Sequence, residues 1–227
     1  MPVFELANLT YGYIDGGKKR MILNDLSYQF EEGKLYTILG PSGSGKTTLL
    51  ALASALDVPE KGQVIYKGNN IKNIGYTKFR RDHMAIIFQK YNLTDYLTAL
   101  ENVEANMMIV HSGKGKDRKQ IAYKMLDTVG IVRSKADRRI TKLSGGEQQR
   151  VAIAKALAKD VDLILGDEPT GALDTATSNE IIDLFKRLAH DYGKTIILVT
   201  HSDAVAASSD ITLRLKEGKL MREMGGF

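Results

Sequence analysis

The chain has no cysteine, so no disulfide framework can organise it, and its composition fits a reducing interior. No apolar run approaches the roughly 20 residues that a bilayer-spanning helix needs. The expectation is a chain soluble by itself, for which any work at a membrane requires another subunit to supply the span. The opening stretch MPVFELANLTYGY has neither the basic-plus-apolar form of a signal peptide nor the amphipathic form of a transit peptide. No internal repeat or low-complexity segment is evident. Charge of one sign is also scarce: the formal net charge is +5, with acids and bases both plentiful. That excess is compatible with an anionic ligand or an anionic membrane surface and establishes neither.

What is present is an ordinary globular composition. At 227 residues and 43% hydrophobic, the chain is long enough for one large domain, or a domain with a subdomain, around a substantial core. Short apolar, β-rich runs predict strands at residues 4–6, 26–30, 35–39, 63–66, 85–88, 163–165, 196–199 and 211–215. Three of them, YTIL, LIL and IILV, are almost continuously apolar, as strands buried on both faces of a parallel sheet are. Helical periodicity lies between them. A helix is expected over residues 47–56, another carries a stripe of Ile121, Met125 and Val129 before Gly130, and a third carries Ile181, Phe185 and Leu188. Strand and helix alternate, so the fold class expected is α/β. Residues 91–157 lack strand signals and read as a helical subdomain inserted in an α/β core formed by 1–90 and 158–227. Within that insert HSGKGKDRK, residues 111–119, is most simply a solvated basic loop.

Residues 39–48, LGPSGSGKTT, fit G-x-x-x-x-G-K-[ST] with Gly40, Gly45, Lys46 and Thr47, between a predicted strand and a predicted helix. Gly43 and Gly45 allow the loop to wrap a phosphate chain, whose charge meets backbone amides and a helix N-terminus. Pro41, Ser42, Ser44 and Thr48 complete the loop. Lys46 reaches the outer phosphates, and the Thr47 hydroxyl suits Mg2+. Further on, DLILGDEPT ends an apolar strand in adjacent carboxylates. Asp167 is placed to hold the Mg2+ shell, and Glu168 to polarise an attacking water. Pro169 disfavours helix at the residue before it, so Glu168 is expected to stay extended. An acidic turn without a role is the competing reading. His201 closes the run TIILVT at another strand end, and Gln89 follows the strand MAIIF. In an open parallel sheet, ligands sit beyond these carboxyl ends, although either residue could equally be structural. A second glycine-rich helix start, LSGGEQQRVAIAKAL, begins at Leu143. Ser144 can cap it, and Gly145 and Gly146 are more than capping needs. An anion site and a well-capped ordinary helix both account for it.

Taken in order, Gly40–Thr47 as Walker A, Gln89 as Q-loop, LSGGEQQR as signature, LILGDEPT as Walker B, GALD ending in Asp174 as D-loop and His201 as switch histidine resemble an ATP-binding cassette (ABC) ATPase over essentially the whole chain. The resemblance implies a P-loop NTPase core of mostly parallel sheet flanked by helices, an N-terminal antiparallel β subdomain and an inserted helical subdomain. It implies ATP and Mg2+, with Gln89 joining Thr47 and Asp167 at the metal. Tyr13, with Tyr11 close by as the alternative, is similar to the family's adenine-stacking aromatic, worth on the order of 1 kcal/mol. Two copies would meet head to tail, so that Ser144, Gly145, Gly146 and Glu147 of one, with Asp174 nearby, complete the ATP site of the other. Glu168, His201 and Lys46 would carry hydrolysis. Within the family the chain is similar to the macrolide-exporter and lipoprotein-release group. That likeness implies a subunit of a membrane transporter or mechanotransmission complex, with an integral-membrane permease-type partner docking near Gln89 to Leu97, at the cytoplasmic face of the cell membrane. Tyr91, Leu93, Tyr96 and Leu97 could form its groove or could be subdomain core. The alternative is a soluble ABC ATPase acting on nucleic acid or ribosomes. A single cassette without a long heptad insertion argues against it, and no nucleic-acid partner is expected. A P-loop kinase or GTPase would leave residues 143–150 unexplained. Two departures from the family pattern are Gly166, where Ala is usual, and ITKLSGG, which lacks the aromatic-proline approach.

Overall fold

The computed structural model describes residues 2–110 and 117–223. Most of the basic run at 111–119 therefore lies outside the described residues. In chain order the elements are β1 (Pro2–Asp15), β2 (Lys18–Glu31), β3 (Leu35–Leu39), α1 (Lys46–Ala53), β4 (Lys61–Tyr66), β5 (Asn69–Asn70), α2 (Ile71–Ile74), α3 (Tyr76–Asp82), β6 (Met84–Phe88), α4 (Ala99–Val110), α5 (Arg118–Thr128), α6 (Arg133–Ala136), α7 (Gly145–Leu157), β7 (Leu163–Asp167), α8 (Thr175–His190), β8 (Thr195–Thr200), α9 (Asp203–Ala207), β9 (Ile211–Lys216) and β10 (Lys219–Arg222).

The larger sheet runs β10-β9-β3-β8-β7-β6, with β9, β3, β8, β7 and β6 mutually parallel and β10 antiparallel at one edge. A smaller antiparallel sheet runs β2-β1-β4-β5. The continuously apolar strands are explained by burial on both faces. In β7 and β8, Ile164, Ile196 and Leu198 pack into one apolar cluster with α7 and α8. The alternate residues Leu163, Leu165, Ile197 and Val199 pack into a second cluster with α1 and the smaller sheet. Each fully buried Leu or Ile contributes about 1.5–3 kcal/mol, so a polar residue on either face would be costly. The parallel connections bring the carboxyl ends of β3, β7 and β8 to one edge, and this edge carries the site.

Three expectations need correction. The hairpin of β1 and β2 is far longer than the two short runs read from the sequence. Register shifts between Leu6 and Leu9, Leu9 and Tyr11, and Tyr11 and Gly12 interrupt the period of two, which hides the pattern. Gly16 and Gly17, with φ of 55° and 79°, make its two-residue tip. Helix α1 stops at Ala53 rather than 56, because Ala55 turns to φ 58° and leaves Leu56 exposed. In α5 the buried stripe is Ala122, Leu126 and Val129, whereas Ile121 is 43% exposed. The small Ala122 takes the closest position in a helix that packs on α4 and α7. The described part of 91–157 holds α4 to α7 and no strand. Its residues Leu100, Val103, Leu126 and Val151 belong to the same apolar cluster as Ile164 and Ile196 of the large sheet.

Candidate functional site

The glycine loop leaves β3 at Leu39 and enters α1 at Lys46. Gly45 is the N-cap at φ 100° with no side-chain cap, so the first amides of α1 are left for another acceptor. A Cβ at Gly45 would stand 2.6 Å from Ile22 Cγ2, so the position needs glycine for space as well as for backbone. Lys46 Nζ donates to the carbonyls of Gly40 (2.5 Å) and Pro41 (3.0 Å), which keeps its charge over the loop. Ser44 Oγ is buried without a hydrogen-bond partner, an orphaned polar atom inside the loop.

This loop forms one wall of a cavity of about 840 Å3. Ser42, Gly43, Gly45, Lys46, Thr47 and Thr48 line it from the loop, Asp167 and Glu168 from the end of β7, His201 from the end of β8, and Tyr13 from β1. The two tyrosines differ in placement. Tyr13 lines the cavity and its hydroxyl bonds Thr48 Oγ1, whereas Tyr11 is absent from the lining and its hydroxyl bonds Asp57. Tyr11 stands edge-on to Tyr13 at 5.5 Å.

Burial pushes the Asp167 carboxyl above the usual carboxylate range, the neighbouring Glu168 charge pushes the same way, and Lys46 opposes both. Glu168 is not extended as expected: its φ is 47°. The turn around it overrides the preference imposed by Pro169. Glu168 N–H donates to the Val199 carbonyl at 2.9 Å, and the Gly171 N–H returns to the Glu168 carbonyl at 3.0 Å. Glu168 Oε2 accepts from Thr200 Oγ1 at 2.7 Å, and Oε1 lies 2.8 Å from His201 Nδ1. The Glu168 side chain is 17% exposed and that of His201 is 70% exposed.

Other residues singled out in the sequence lie off this cavity. The Gln89 amide rests against the turn after Glu168: a Cβ at Gly171 would stand 2.8 Å from its Nε2. Ser144 caps α7 in a reciprocal box, accepting from Glu147 N–H at 3.3 Å while its own N–H donates to Glu147 Oε2 at 2.9 Å. The other Glu147 oxygen pairs with Lys135 at 2.5 Å, and this pairing first, then the cap, holds the carboxyl below its ordinary range. The second glycine has a partner within the chain: a Cβ at Gly146 would collide with Thr177 Cγ2 of α8. Asp174 caps α8, accepting from Thr177 N–H (3.0 Å) and Thr177 Oγ1 (2.6 Å), which holds its carboxyl below the usual range. In the stretch after Gln89, Leu93 packs against the core, Tyr91 comes within reach of Gly145, and Tyr96 is 75% exposed.

Three cavity residues were not anticipated: Ile14, Arg20 and Ile22. All belong to the hairpin, in which Arg20 pairs across the strands with Tyr13. Their signal was available only once the two strands could be put in register. The donor set at the cavity is oxygen-rich: the Thr47 hydroxyl and the Asp167 carboxylate. Among the described residues no group of three or more metal-ligating side chains occurs. One carboxylate and one hydroxyl fit a small hard cation that takes its other oxygens from phosphates and water, as Mg2+ does.

A parallel sheet whose strand ends bring a glycine loop, an Asp-Glu pair and a histidine to one cavity defines a P-loop nucleoside triphosphatase. The family model described as "ABC transporter" matches residues 23–171, and the chain belongs to that family as an ABC-type ATPase cassette. It is 47% identical over 207 residues to YclH of Bacillus subtilis, an ABC transporter ATP-binding protein, with 91% of each chain covered. To MJ0796 of Methanocaldococcus jannaschii it is 40% identical over 226 residues, covering 97% of this chain and 96% of that one. The dimeric structure of MJ0796 superposes with a TM-score of 0.86 over 99% of this chain and 100% of that one, at 38% identity. MJ0796 has also been solved as a dimer in a post-hydrolysis state bound to ADP and Pi, with the same superposition. The macrolide export ATP-binding/permease protein MacB of Hyphomonas neptunium is 38% identical over 228 residues, which is 99% of this chain but 35% of that protein. No helix among the described residues is long and apolar enough to cross a membrane.

Proposed function

We propose that two copies of this chain bind two ATP between them, hydrolyse them, and drive an integral-membrane permease-type partner from the cytoplasmic face of the cell membrane. The observation that carries this reading is a separation: Ser144 and Gly145 are exposed and border no part of the chain's own cavity. A second copy, set head to tail as the dimeric MJ0796 cassettes make reasonable, would bring its Ser144, Gly145 and Gly146 to the phosphates held by Lys46. Negative charge would then be shared between two helix N-termini on different molecules, so that ATP joins the copies and hydrolysis releases them.

The parts divide as follows. Amides of the loop from Gly40 to Thr48, together with Lys46, bind phosphates, and Tyr13 stacks on the base. Thr47 and Asp167 would hold Mg2+, which supplies charge neutralisation on the phosphate oxygens, and Gln89, beside the Glu168–Gly171 turn, would complete that set. Glu168 orients water and takes its proton, while His201, on the other carboxylate oxygen, supports the terminal phosphate. The transfer is mainly positional and electrostatic. Asp174, Glu147 and residues 91–157 form the face offered to the second copy. The segment from Gln89 to Leu97, in which Tyr96 is exposed and Leu93 packs on the core, would dock the membrane partner. Replacing Glu168 by Gln tests the sandwich: with ATP and Mg2+ the variant is expected to run as a dimer by light scattering, and a monomer under those conditions overturns the model.

A further inference from the structure

We propose that Thr200 is a positioning residue for hydrolysis, its hydroxyl holding the Glu168 carboxylate in the orientation from which Glu168 acts on water. The inference rests on the reading of Glu168 as the group that takes the proton. β7 and β8 are in parallel register with Asp167 opposite Val199, so Glu168, the residue just past β7, and Thr200, the last of β8, emerge side by side at the sheet edge. Thr200 is 1% exposed.

Its hydroxyl has a partner for its proton and for one lone pair. Thr200 Oγ1 accepts the backbone N–H of Ser202 at 3.1 Å, and it donates to Glu168 Oε2 at 2.7 Å. A hydroxyl has one proton and a backbone amide can only donate, so the bond from Ser202 fixes the rotor and leaves that proton for the carboxylate. Glu168 is held at four points: its backbone N–H on Val199, its carbonyl by Gly171, Oε2 by Thr200 and Oε1 by His201, of which the last two hold the carboxylate. These last two anchors are unequal. The His201 side chain is largely in solvent and free to turn toward a bound phosphate, whereas Thr200 is locked inside the sheet edge. When His201 changes partner, Thr200 is the side chain that keeps the carboxylate in place. A reacting group misplaced by about 1 Å loses up to about a hundredfold in rate, so one buried hydrogen bond has large leverage here.

The test uses the full chain and compares Thr200→Val, which keeps the shape and removes the donor, with Thr200→Ser, which keeps the donor. Steady-state ATP turnover, equilibrium ATP binding and urea unfolding are measured on each, with Thr200→Ala as a second donor-less variant should Val disturb folding. The expected result is kcat lowered about tenfold or more in Val and Ala, with ATP affinity within about twofold of the parent, and turnover close to the parent in Ser. Wild-type kcat in a folded Val or Ala variant overturns the proposal. So does a rise in kcat, which would mean that Thr200 restrains Glu168, and so does a loss of kcat and affinity together that tracks unfolding. Glu168→Gln is run beside them: if it still turns over ATP, the reading of Glu168 itself fails, and if it is inactive while Val is unimpaired, only the role of Thr200 fails.

Discussion

Gly146→Ala should destabilise the chain through a contact that has nothing to do with nucleotide. The new Cβ would lie closer than 3.0 Å to Thr177 Cγ2, a separation that real Cβ atoms essentially never show. Thr177 cannot simply turn away, because its Oγ1 is bonded to Asp174 at 2.6 Å and its N–H to the other Asp174 oxygen at 3.0 Å. Overpacking of this kind costs about 1–3 kcal/mol. Replacing Gly by Ala in a helix returns at most about 1 kcal/mol, and less in the first turn. The net loss expected is about 1–2 kcal/mol. Thr177→Ser removes Cγ2 and keeps the hydroxyl on Asp174, and the next nearest carbon, Thr177 Cβ, would be 3.7 Å from the new methyl, an ordinary contact. The single Thr177→Ser change costs under about 1 kcal/mol, and the double variant should recover most of the Gly146→Ala loss, giving a coupling of about 1 kcal/mol or more. Urea unfolding of the four proteins without nucleotide measures this. Additive effects would refute the packing argument. ATP turnover on the same four proteins then separates two jobs for one glycine: stability restored without turnover would assign Gly146 a second role at the phosphate of the partner copy.

Three further outcomes follow from the site and its surroundings. Arg20→Ala should weaken ATP and ADP binding several-fold, about 1 kcal/mol, and flatten its dependence on ionic strength, because Arg20 lines the cavity and pairs across the hairpin with Tyr13; unchanged affinity in a nucleotide titration would remove Arg20 from the site. Asp167→Asn should abolish hydrolysis yet make the nucleotide-free chain more resistant to urea at neutral pH. Burial and Glu168 raise the Asp167 carboxyl, so the stability tied to its protonated form is lost as pH rises through its folded value, and the charge is a net cost above it; a less stable Asn variant would contradict this. Burial lowers the Lys159 ammonium from 10.5 to about 8, although its Nζ donates to the carbonyls of Arg80 and Met84 at 2.6 Å each. Between those two pH values the unfolded chain binds the proton and the folded chain does not, so the parent should gain stability relative to Lys159→Met as pH rises from 8 toward 10.5, and a difference flat across that window would refute it.

What could be read from the residues alone was whatever the chemistry forces into a contiguous run. The phosphate loop must follow a strand and open a helix within ten residues, and the buried parallel strands must be apolar on both faces. Both facts are written locally. The cavity wall supplied by Ile14, Arg20 and Ile22 is not, because it depends on the register of a bulged hairpin that folds back over the glycine loop. The stripe in α5 was misplaced for a related reason. Ile121 is the more apolar residue, but the neighbouring helices leave room for Ala122, and packing chose size over hydrophobicity. The doubled glycine after Ser144 could be seen, but its close approach to Thr177 could not, since thirty-one positions separate the two residues.

Glu168 is the instructive failure. The rule that a residue before proline stays extended is sound, and the residue nonetheless sits at φ 47°. A non-glycine residue in that region costs on the order of 1–3 kcal/mol, and it persists only where neighbours over-determine it. Here they do: Val199, Thr200, His201 and Gly171 all bond the same residue, through its N–H, its two carboxylate oxygens and its carbonyl. An extended Glu168 would continue the line of β7 and give up its turn bond to Gly171. The turned one is tied to the strand end that carries His201, and it lines the same cavity as Lys46. The local rule fails at the residue that the proposed function needs aimed, and three of the four bonds that hold it there come from Val199 and Thr200 of β8 and from His201 just after it.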